Sequence, residues 1–318
     1  MGPAPRHEPG VHVTILLAAR DGADHLGPQL DSIATQTHRD WNLIVSDDGS
    51  ADATRTMVKA FARQQENPTT LLEGPGRGSA ENFLFLMREW AGRAPRDGWM
   101  AFSDQDDVWL AGKLARAVAM LAPLPAGIPA LYCSRSWICD AELKACRLSA
   151  PRPRPAGFRN ALVQNIAAGN TIVLNAAAAR LATAAAHEAG QVVVHDWWLY
   201  QLITGCGGTV LHDDRPGLLY RQHSGNLIGA NDGPAARLRR LRGLLDGTFR
   251  EWNAINIAAL RRSAHRLTPE NRNLLEAFAA LRTASLPARL LALRRHGLYR
   301  QSQAATLSLY LAALLRRL

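Results

Sequence analysis

Across residues 11–103, apolar runs of strand length alternate with helix-length segments, and few topologies accept that rhythm. Residues 11–18 (VHVTILLA) are almost continuously apolar and β-branched at their start, as a strand covered on both faces must be. Residues 26–35 put Leu26, Leu30 and Ile33 on one helical face. The pattern then predicts strands at 41–46, 69–72 and 99–103, with helices at 51–65 and 79–90 between them. Repeated strand–helix–strand units predict an α/β fold with a mostly parallel sheet. Ligands of such sheets sit outside the carboxyl ends of strands. Two of those ends are acidic: Asp47-Asp48-Gly49-Ser50 and Asp104-Gln105-Asp106-Asp107.

Beyond residue 150 the rhythm loosens. PRPRP at 151–155 is an extended break. Residues 170–174 and 209–212 read as strands on either side of a helix at 196–202, and no internal repeat is visible. After Asp232-Gly233-Pro234 the character changes to Arg-rich helices. The implied division is a flexible N-terminus at 1–10, an α/β domain at 11–230 and a basic helical region at 231–318. With 318 residues, 47% of them apolar, a full core can form. No run reaches the roughly 18–20 apolar residues that span a bilayer, and the first ten residues lack the apolar stretch of a secretory signal. The four cysteines fit neither a zinc motif nor a small disulfide framework, so reduced thiols are expected.

Charge is unevenly spread. Residues 237–318 hold 16 Arg, no Lys and four acids, a net of +12 against +10 for the whole chain, which leaves −2 for residues 1–236. Such asymmetry points to an anionic surface as a partner of the tail.

Three carboxylates within residues 104–107 repel one another at a strand end. A hard divalent cation, Mg²⁺ or Mn²⁺, relieves that repulsion while leaving positions for substrate phosphates. Asp47 and Asp48 can accept hydrogen bonds from ribose hydroxyls or base N–H groups, while Gly49 and Ser50 suit the turn and the next helix cap. Gly74, Gly76 and Gly78 follow a strand, but Ser79 stands where a dinucleotide fingerprint needs glycine, which argues against a dehydrogenase and for a flexible loop. In VVVHDWWL, residues 192–199, Asp196 lies in apolar company that raises a carboxyl pKa and suits a general base; it also suits a helix N-cap. In Tyr220-Arg221-Gln222-His223, Arg221 could grip a diphosphate and His223 could ligate a metal.

Taken together, ILLAARDG, QLDSIATQTHRDWNLIVSDDGSADAT, SDQDDVW with Lys113, HDWW and YRQHSGN resemble the family 2 glycosyltransferases over residues 11–229. The SDQDDVW, HDWW and YRQH combination looks most like the bacterial rhamnosyltransferase branch, which builds surface polysaccharides. The resemblance implies a GT-A fold and an inverting transfer from a nucleotide-diphosphate sugar, with dTDP-L-rhamnose the donor this branch suggests. It places Ala18 and Arg20 at the nucleotide, Asp47 and Asp48 at base and ribose, and Asp104 with Asp106 in the DXD motif. Asp106 is the better metal ligand of the two, His223 completes the metal site and Asp196 is the base. Two departures stand out: His195 where many relatives have Glu, and Ala18-Ala19-Arg20-Asp21 in place of the commoner Pro-Thr-Tyr-Asn.

The expected acceptor is a glycan or lipid-linked saccharide. The expected location is cytoplasmic, peripheral on the inner face of the plasma membrane, where Leu-rich segments at 286–295 and 307–315 meet anionic lipid; a homo-oligomer stays open. A sugar nucleotidyltransferase would need a phosphate loop that AARDGADHL lacks. A non-catalytic nucleic-acid-binding protein would explain the basic tail but not the acidic strand ends, so no nucleic-acid partner is expected.

Overall fold

The computed structural model describes residues 10–95, 97–223 and 247–318. Ser224-Gly225-Asn226 of the YRQHSGN segment, the 230/231 boundary and the arginines at 237–242 lie outside the described residues, as do residues 1–9.

The elements follow the sequence rhythm closely at first. They are β1 (Val13–Ala19), α1 (Ala23–Ala34), β2 (Trp41–Asp47), α2 (Thr54–Gln64), β3 (Thr69–Glu73), α3 (Ser79–Trp90) and β4 (Trp99–Ser103). Then come β5 (Val108–Trp109), α4 (Lys113–Leu121), β6 (Ala130–Cys139), β7 (Cys146–Leu148), α5 (Phe158–Ala161), a 3₁₀ turn (Gly169–Thr171), β8 (Val173–Leu174), α6 (Ala176–Ala186), α7 (His195–Gly205) and β9 (Thr209–Arg221). Four helices close the chain: α8 (Thr248–Arg262), α9 (Pro269–Leu281), α10 (Leu286–Arg295) and α11 (Gln303–Leu314).

The sheet runs β3-β2-β1-β4-β8-β6-β9-β5, with β7 on β6. The β3-β2-β1-β4 half is parallel, as expected. The other half is mixed: β8 is antiparallel to β4 and β6, β9 is parallel to β6, and β5 is antiparallel to β9. Side chains alternate across a strand, and β1 shows it directly. Leu16 faces a core with Phe83, Phe102 and Trp198, whereas Ile15 and Leu17 face one with Leu26, Ile33, Phe61 and Leu114. The sheet therefore carries α3, α6 and α7 on one face and α1, α2 and α4 on the other.

Three readings need correction. Residues 170–174 are the end of a 3₁₀ turn (Gly169–Thr171) and a two-residue strand, with the Asn170 side chain donating to Asp107 and the Thr171 hydroxyl to the Ala168 carbonyl. The strand expected at 209–212 runs on to Arg221, pairing along nearly all of β6. The cysteines are not all thiols: Cys139 and Cys146 form a disulfide, while Cys133 and Cys206 are free. The β6–β7 register sets Cys139 opposite Cys146 with Cα atoms 4.1 Å apart, a pairing the spacing alone did not reveal.

The tail does form Arg-rich helices, but much of its charge is built into the fold. Arg261 pairs with Glu276 and Arg266 with Glu188. Arg289 is buried and donates to the carbonyls of Leu281, Ala284 and Ala313, tying the end of one helix and the linker after it to the end of the last helix. Leu260, Leu275, Phe278, Leu293 and Leu309 pack with Phe158, Leu162 and Val163 in a third apolar cluster.

Candidate active site

The parallel register brings strand ends together. Ala18 and Ala19 lie beside Ser46 and Asp47, and Leu17 lies beside Ser103. Chain leaving β1 and β2 must turn at this edge. Asp21 adopts φ +45°, its N–H donates to Ser50 Oγ at 2.8 Å, and its Oδ1 accepts from Ala51 N at 2.8 Å. Arg20, exposed at the same edge, is clamped to the acidic loop: its N–H donates to Gln105 Oε1 at 2.8 Å and its carbonyl accepts from Gln105 Nε2 at 2.9 Å. Ala18 is half-buried in the strand below.

The acidic pair on β2 organises its surroundings. Asp47 is buried, accepts from Ser50 Oγ and takes Arg55 Nη1 at 3.1 Å. Asp48 accepts Gly76 N and Gly78 N, one on each oxygen, both at 2.7 Å. Gly76 and Gly78 have φ +67° and +88°, which side chains resist and glycine tolerates. The glycine-rich turn is thus a backbone cradle tied to Asp48. Each carboxylate oxygen keeps further lone-pair capacity for a ligand.

The loop after β4 gathers charge. Asp107 is fully buried, accepts from Asn170 Nδ2 at 2.6 Å and is pushed upward in pKa by burial, then by Asp104 and Asp106. Burial first, then repulsion from Asp106 and Asp196, raises Asp104 to about 7. Lys113 lies beneath, almost fully enclosed, with Nζ 3.2 Å from the Trp109 ring centroid. Burial lowers its pKa against the pull of Asp107 and Asp104. Its amine thus lies inside the fold within electrostatic reach of both carboxylates.

Asp106 points the other way. Its Oδ2 lies 2.8 Å from His223 Nε2 at the end of β9, and the His223 ring meets His25 at 4.6 Å between centroids. Arg221 holds this geometry, with Nε on the Asp106 carbonyl at 3.0 Å and Nη1 on the Ala141 carbonyl. Arg221, expected at a diphosphate, sets these two nitrogens on loop carbonyls at the same strand end. Among the described residues no group of three His, Cys, Asp or Glu stands ready to hold a metal. The Asp106–His223 pair nonetheless fits a hard or borderline divalent ion that takes its remaining ligands from phosphates and water. Its donors are adjacent, and the neighbouring carboxylate of Asp104 carries repulsion that a cation relieves.

Asp196 sits in the first turn of α7, where the helix N-terminus favours a carboxylate. Oδ1 accepts Trp197 N at 2.6 Å and Oδ2 accepts Gly169 N at 3.1 Å, with Asn165 a further donor. Burial outweighs these bonds and raises the pKa to about 6. Gly169 is required sterically. A Cβ there would lie 2.6 Å from His195 Nε2 and 3.3 Å from Asp196 Cβ. His195, in the place where a carboxylate was the commoner expectation, is buried, stacks on Phe83 at 3.8 Å and has its pKa lowered to about 3 by burial. It is a neutral packing ring beside Asp196.

One 3₁₀ turn therefore links the two acidic centres: Gly169 touches Asp196 and Asn170 touches Asp107. Asp104 also feels the charge of Asp196. Sequence reasoning found these carboxylates and the motif around Gln105 without giving that amide a role, and missed Gly169, Asn170 and His25, which carry no motif of their own. A glycine and an amide following an apolar stretch were the sole local signal.

Residues 14–137 match the family described as Glycosyl transferase family 2. The dTDP-rhamnosyl transferase RfbG of Shigella flexneri is 24% identical over 246 residues, 71% of this chain and 78% of that protein. An Escherichia coli protein, UDP-Glc:alpha-D-GlcNAc-diphosphoundecaprenol beta-1,3-glucosyltransferase WfgD, is 29% identical over 109 residues, 34% of this chain and 40% of its own length. Among solved structures, S. aureus TarS 1-349 in complex with UDP-GlcNAc aligns with a TM-score of 0.51 at 13% identity, covering 90% of this chain and 80% of that one. That likeness speaks to the fold alone, which is GT-A.

Proposed function

We propose, from the premise that this chain is a glycosyltransferase carrying a family 2 domain at residues 14–137, that it moves a sugar from a nucleotide-diphosphate donor to an acceptor hydroxyl with inversion. One observation carries the reading. Asp104, Asp106 and His223 gather at the end of β4, and a separate carboxylate, Asp196, is held beside them with a pKa of about 6. One centre suits a diphosphate and the other suits a hydroxyl proton.

Asp47, Asp48 and the glycine cradle bind base, ribose and phosphate edges, and Arg20 and Ala18 line the same mouth. Asp106 and His223 would hold Mn²⁺ or Mg²⁺, which would supply Lewis-acid stabilisation of a departing diphosphate. Asp196 takes the acceptor proton as that oxygen attacks the anomeric carbon from the opposite face. Trp197 N and Gly169 N fix the carboxylate's direction, which limits the conformers in which it is unproductive. The RfbG relative supports dTDP-rhamnose as donor, and the WfgD relative, named for a diphosphoundecaprenol acceptor, supports a lipid-linked saccharide as acceptor. A donor screen with purified protein and Mn²⁺ or Mg²⁺, read as nucleotide diphosphate release, tests the reading. Release of pyrophosphate instead, or full activity in EDTA with no loss in Asp106→Asn, would overturn it.

The same reading places the enzyme on an anionic membrane. No helix among the described residues is long and apolar enough to cross one. Six large apolar side chains are nevertheless exposed on the last two helices and just after them: Leu286, Leu291, Leu307, Leu311, Leu314 and Leu315. Leu307, Leu311 and Leu314 share a stripe on α11, with exposed Arg316 at its end. Such a face lies in the lipid interface while arginines reach the head groups. Flotation with anionic but not neutral vesicles, lost in Leu307→Asp/Leu311→Asp, is the expected result.

A further inference from the structure

The Asp106–His223 pair leans on a hairpin that a covalent bond closes. β7 is three residues long and, among the described residues, pairs with β6 alone. Its first residue, Cys146, stands opposite Cys139, the last residue of β6, and the two are disulfide-bonded. Cys139 is buried, whereas Cys146 and Arg147 lie on the exposed edge. A cleft of about 380 Å³ adjoins the bond, lined by both cysteines, Arg147 and Gln222. A thiol from solvent therefore has a way in. Each sulfur also lies near a carbonyl, Cys139 Sγ 3.7 Å from Trp137 O and Cys146 Sγ 3.8 Å from Leu143 O. A thiol donates weakly to such an oxygen, so a reduced pair finds acceptors where it stands.

The turn closed by this bond reaches the acidic loop. Ala141 gives its carbonyl to Arg221 Nη1, and the same guanidinium donates Nε to the Asp106 carbonyl at 3.0 Å. Cys139 and Arg221 are register partners, and the Cys139 carbonyl accepts Gln222 N at 3.0 Å, one residue before His223. Hairpin, β9 end and Asp106 loop thus form one connected set of contacts, with the disulfide on its solvent side. The Asp140 carboxylate accepts Lys144 N at 2.7 Å and Ala145 N at 3.1 Å. Those bonds keep the hairpin tip folded with or without the disulfide, so breaking it loosens the hairpin rather than unfolding it.

We propose that the Cys139–Cys146 bond is a redox modification site whose state sets how firmly the Asp106–His223 centre binds a divalent ion with its nucleotide. The co-reactant is a dithiol. One of its thiolates attacks Cys146 Sγ, the S–S bond breaks, and Cys139 leaves as a thiolate that takes a proton. The second thiolate of the dithiol attacks the mixed disulfide and releases Cys146, which is protonated in turn. The protein gains two electrons and two protons, and the dithiol becomes a disulfide. Positive charge on Arg147, at the cleft, favours the approaching thiolate. The freed sulfurs need van der Waals rather than covalent spacing. β7 gives at its exposed edge, the Ala141 carbonyl loses its fixed place, and Arg221 holds the Asp106 loop less firmly.

The inference rests on reading Asp106 and His223 as metal ligands, and the test separates the two. Full-length protein is oxidised with glutathione disulfide, or reduced with dithiothreitol and freed of it under nitrogen. Iodoacetamide labelling and mass spectrometry score residues 139 and 146. Titration calorimetry measures Mn²⁺ binding with dTDP or UDP present, and hydrogen exchange follows the amides of residues 140–146. Reduction should weaken Mn²⁺ binding about tenfold, as loss of a support behind a metal ligand does. It should also speed exchange across the hairpin, and reoxidation should restore both. Cys139→Ser/Cys146→Ser should match the reduced protein under either treatment. Equal Mn²⁺ affinity of the two wild-type states would overturn the proposal, and that comparison needs no substitution. So would full labelling of both cysteines after oxidation, or a double-serine variant that still responds to dithiothreitol. A wild type that binds no Mn²⁺ in either state would instead remove the metal-site reading, and this inference with it.

Discussion

Asp196 provides the sharpest test of the mechanism, because its environment sets both a pH dependence and a mutational cost. A base works deprotonated. With its pKa raised to about 6, Asp196 is about nine-tenths ionised at pH 7 and about one-tenth ionised at pH 5. Transfer should therefore fall about tenfold between those values and level off above pH 7. The stability contribution runs the other way. A carboxyl raised above its unfolded value favours the folded state most fully below the unfolded pKa, and that advantage is lost as pH rises through about 6. Activity and this group's share of stability thus oppose each other, as expected where burial serves catalysis. Asp196→Asn removes the base and should lower kcat by about 10²–10⁴-fold. It also disturbs two bonds, because the amide can offer its oxygen to Trp197 N or to Gly169 N but not to both. One buried N–H left bare costs about 1–3 kcal/mol, a fall of a few degrees in Tm at this size. Steady-state rates from pH 5 to 8, with thermal melting of both proteins, read all of this. A flat pH profile of kcat/KM, or an Asn variant within tenfold of wild-type kcat, would refute the assignment.

Three further outcomes follow from the geometry. Asp106→Asn and His223→Ala should each weaken Mn²⁺ binding, measured by titration calorimetry with nucleotide diphosphate present, because each removes one of two adjacent donors. Gly169→Ala should destabilise by about 1–3 kcal/mol through overpacking against the His195 ring and should also slow transfer by moving a donor off Asp196, a pairing visible as lowered Tm with lowered kcat. Arg289→Leu should cost about 1–3 kcal/mol in denaturant unfolding, since the Leu281 and Ala284 carbonyls lose a charged donor and Ala313 loses one of its donors.

How much of this was legible beforehand follows from how local each feature is. The β1–β4 half of the sheet, its helices and the acidic ends at Asp47 and Asp104–Asp107 came from periodicity within single segments, and residues 79–90 and 99–103 needed no adjustment. Apolar runs of that kind have one low-energy way to bury themselves, so local pattern determines local structure. Asp196 was legible because three valines and two tryptophans surround it in the chain itself. The Cys139–Cys146 bond was not legible, because it depends on a hairpin register, and neither was the length of β9, because its partner β6 lies some eighty residues away. The tail's basic charge was countable, but not that Arg261, Arg266 and Arg289 would be tied up by Glu276, Glu188 and helix-end carbonyls. Asn170 and Gly169 reach carboxylates 63 and 27 residues distant. Composition and period are properties of neighbours in the chain, and they determined the β1–β4 half of the sheet, its edge and the charges upon it. Which carboxylate repels which, and which cysteine meets which, depends on distances that chain closure alone creates, and those only the tertiary structure decided.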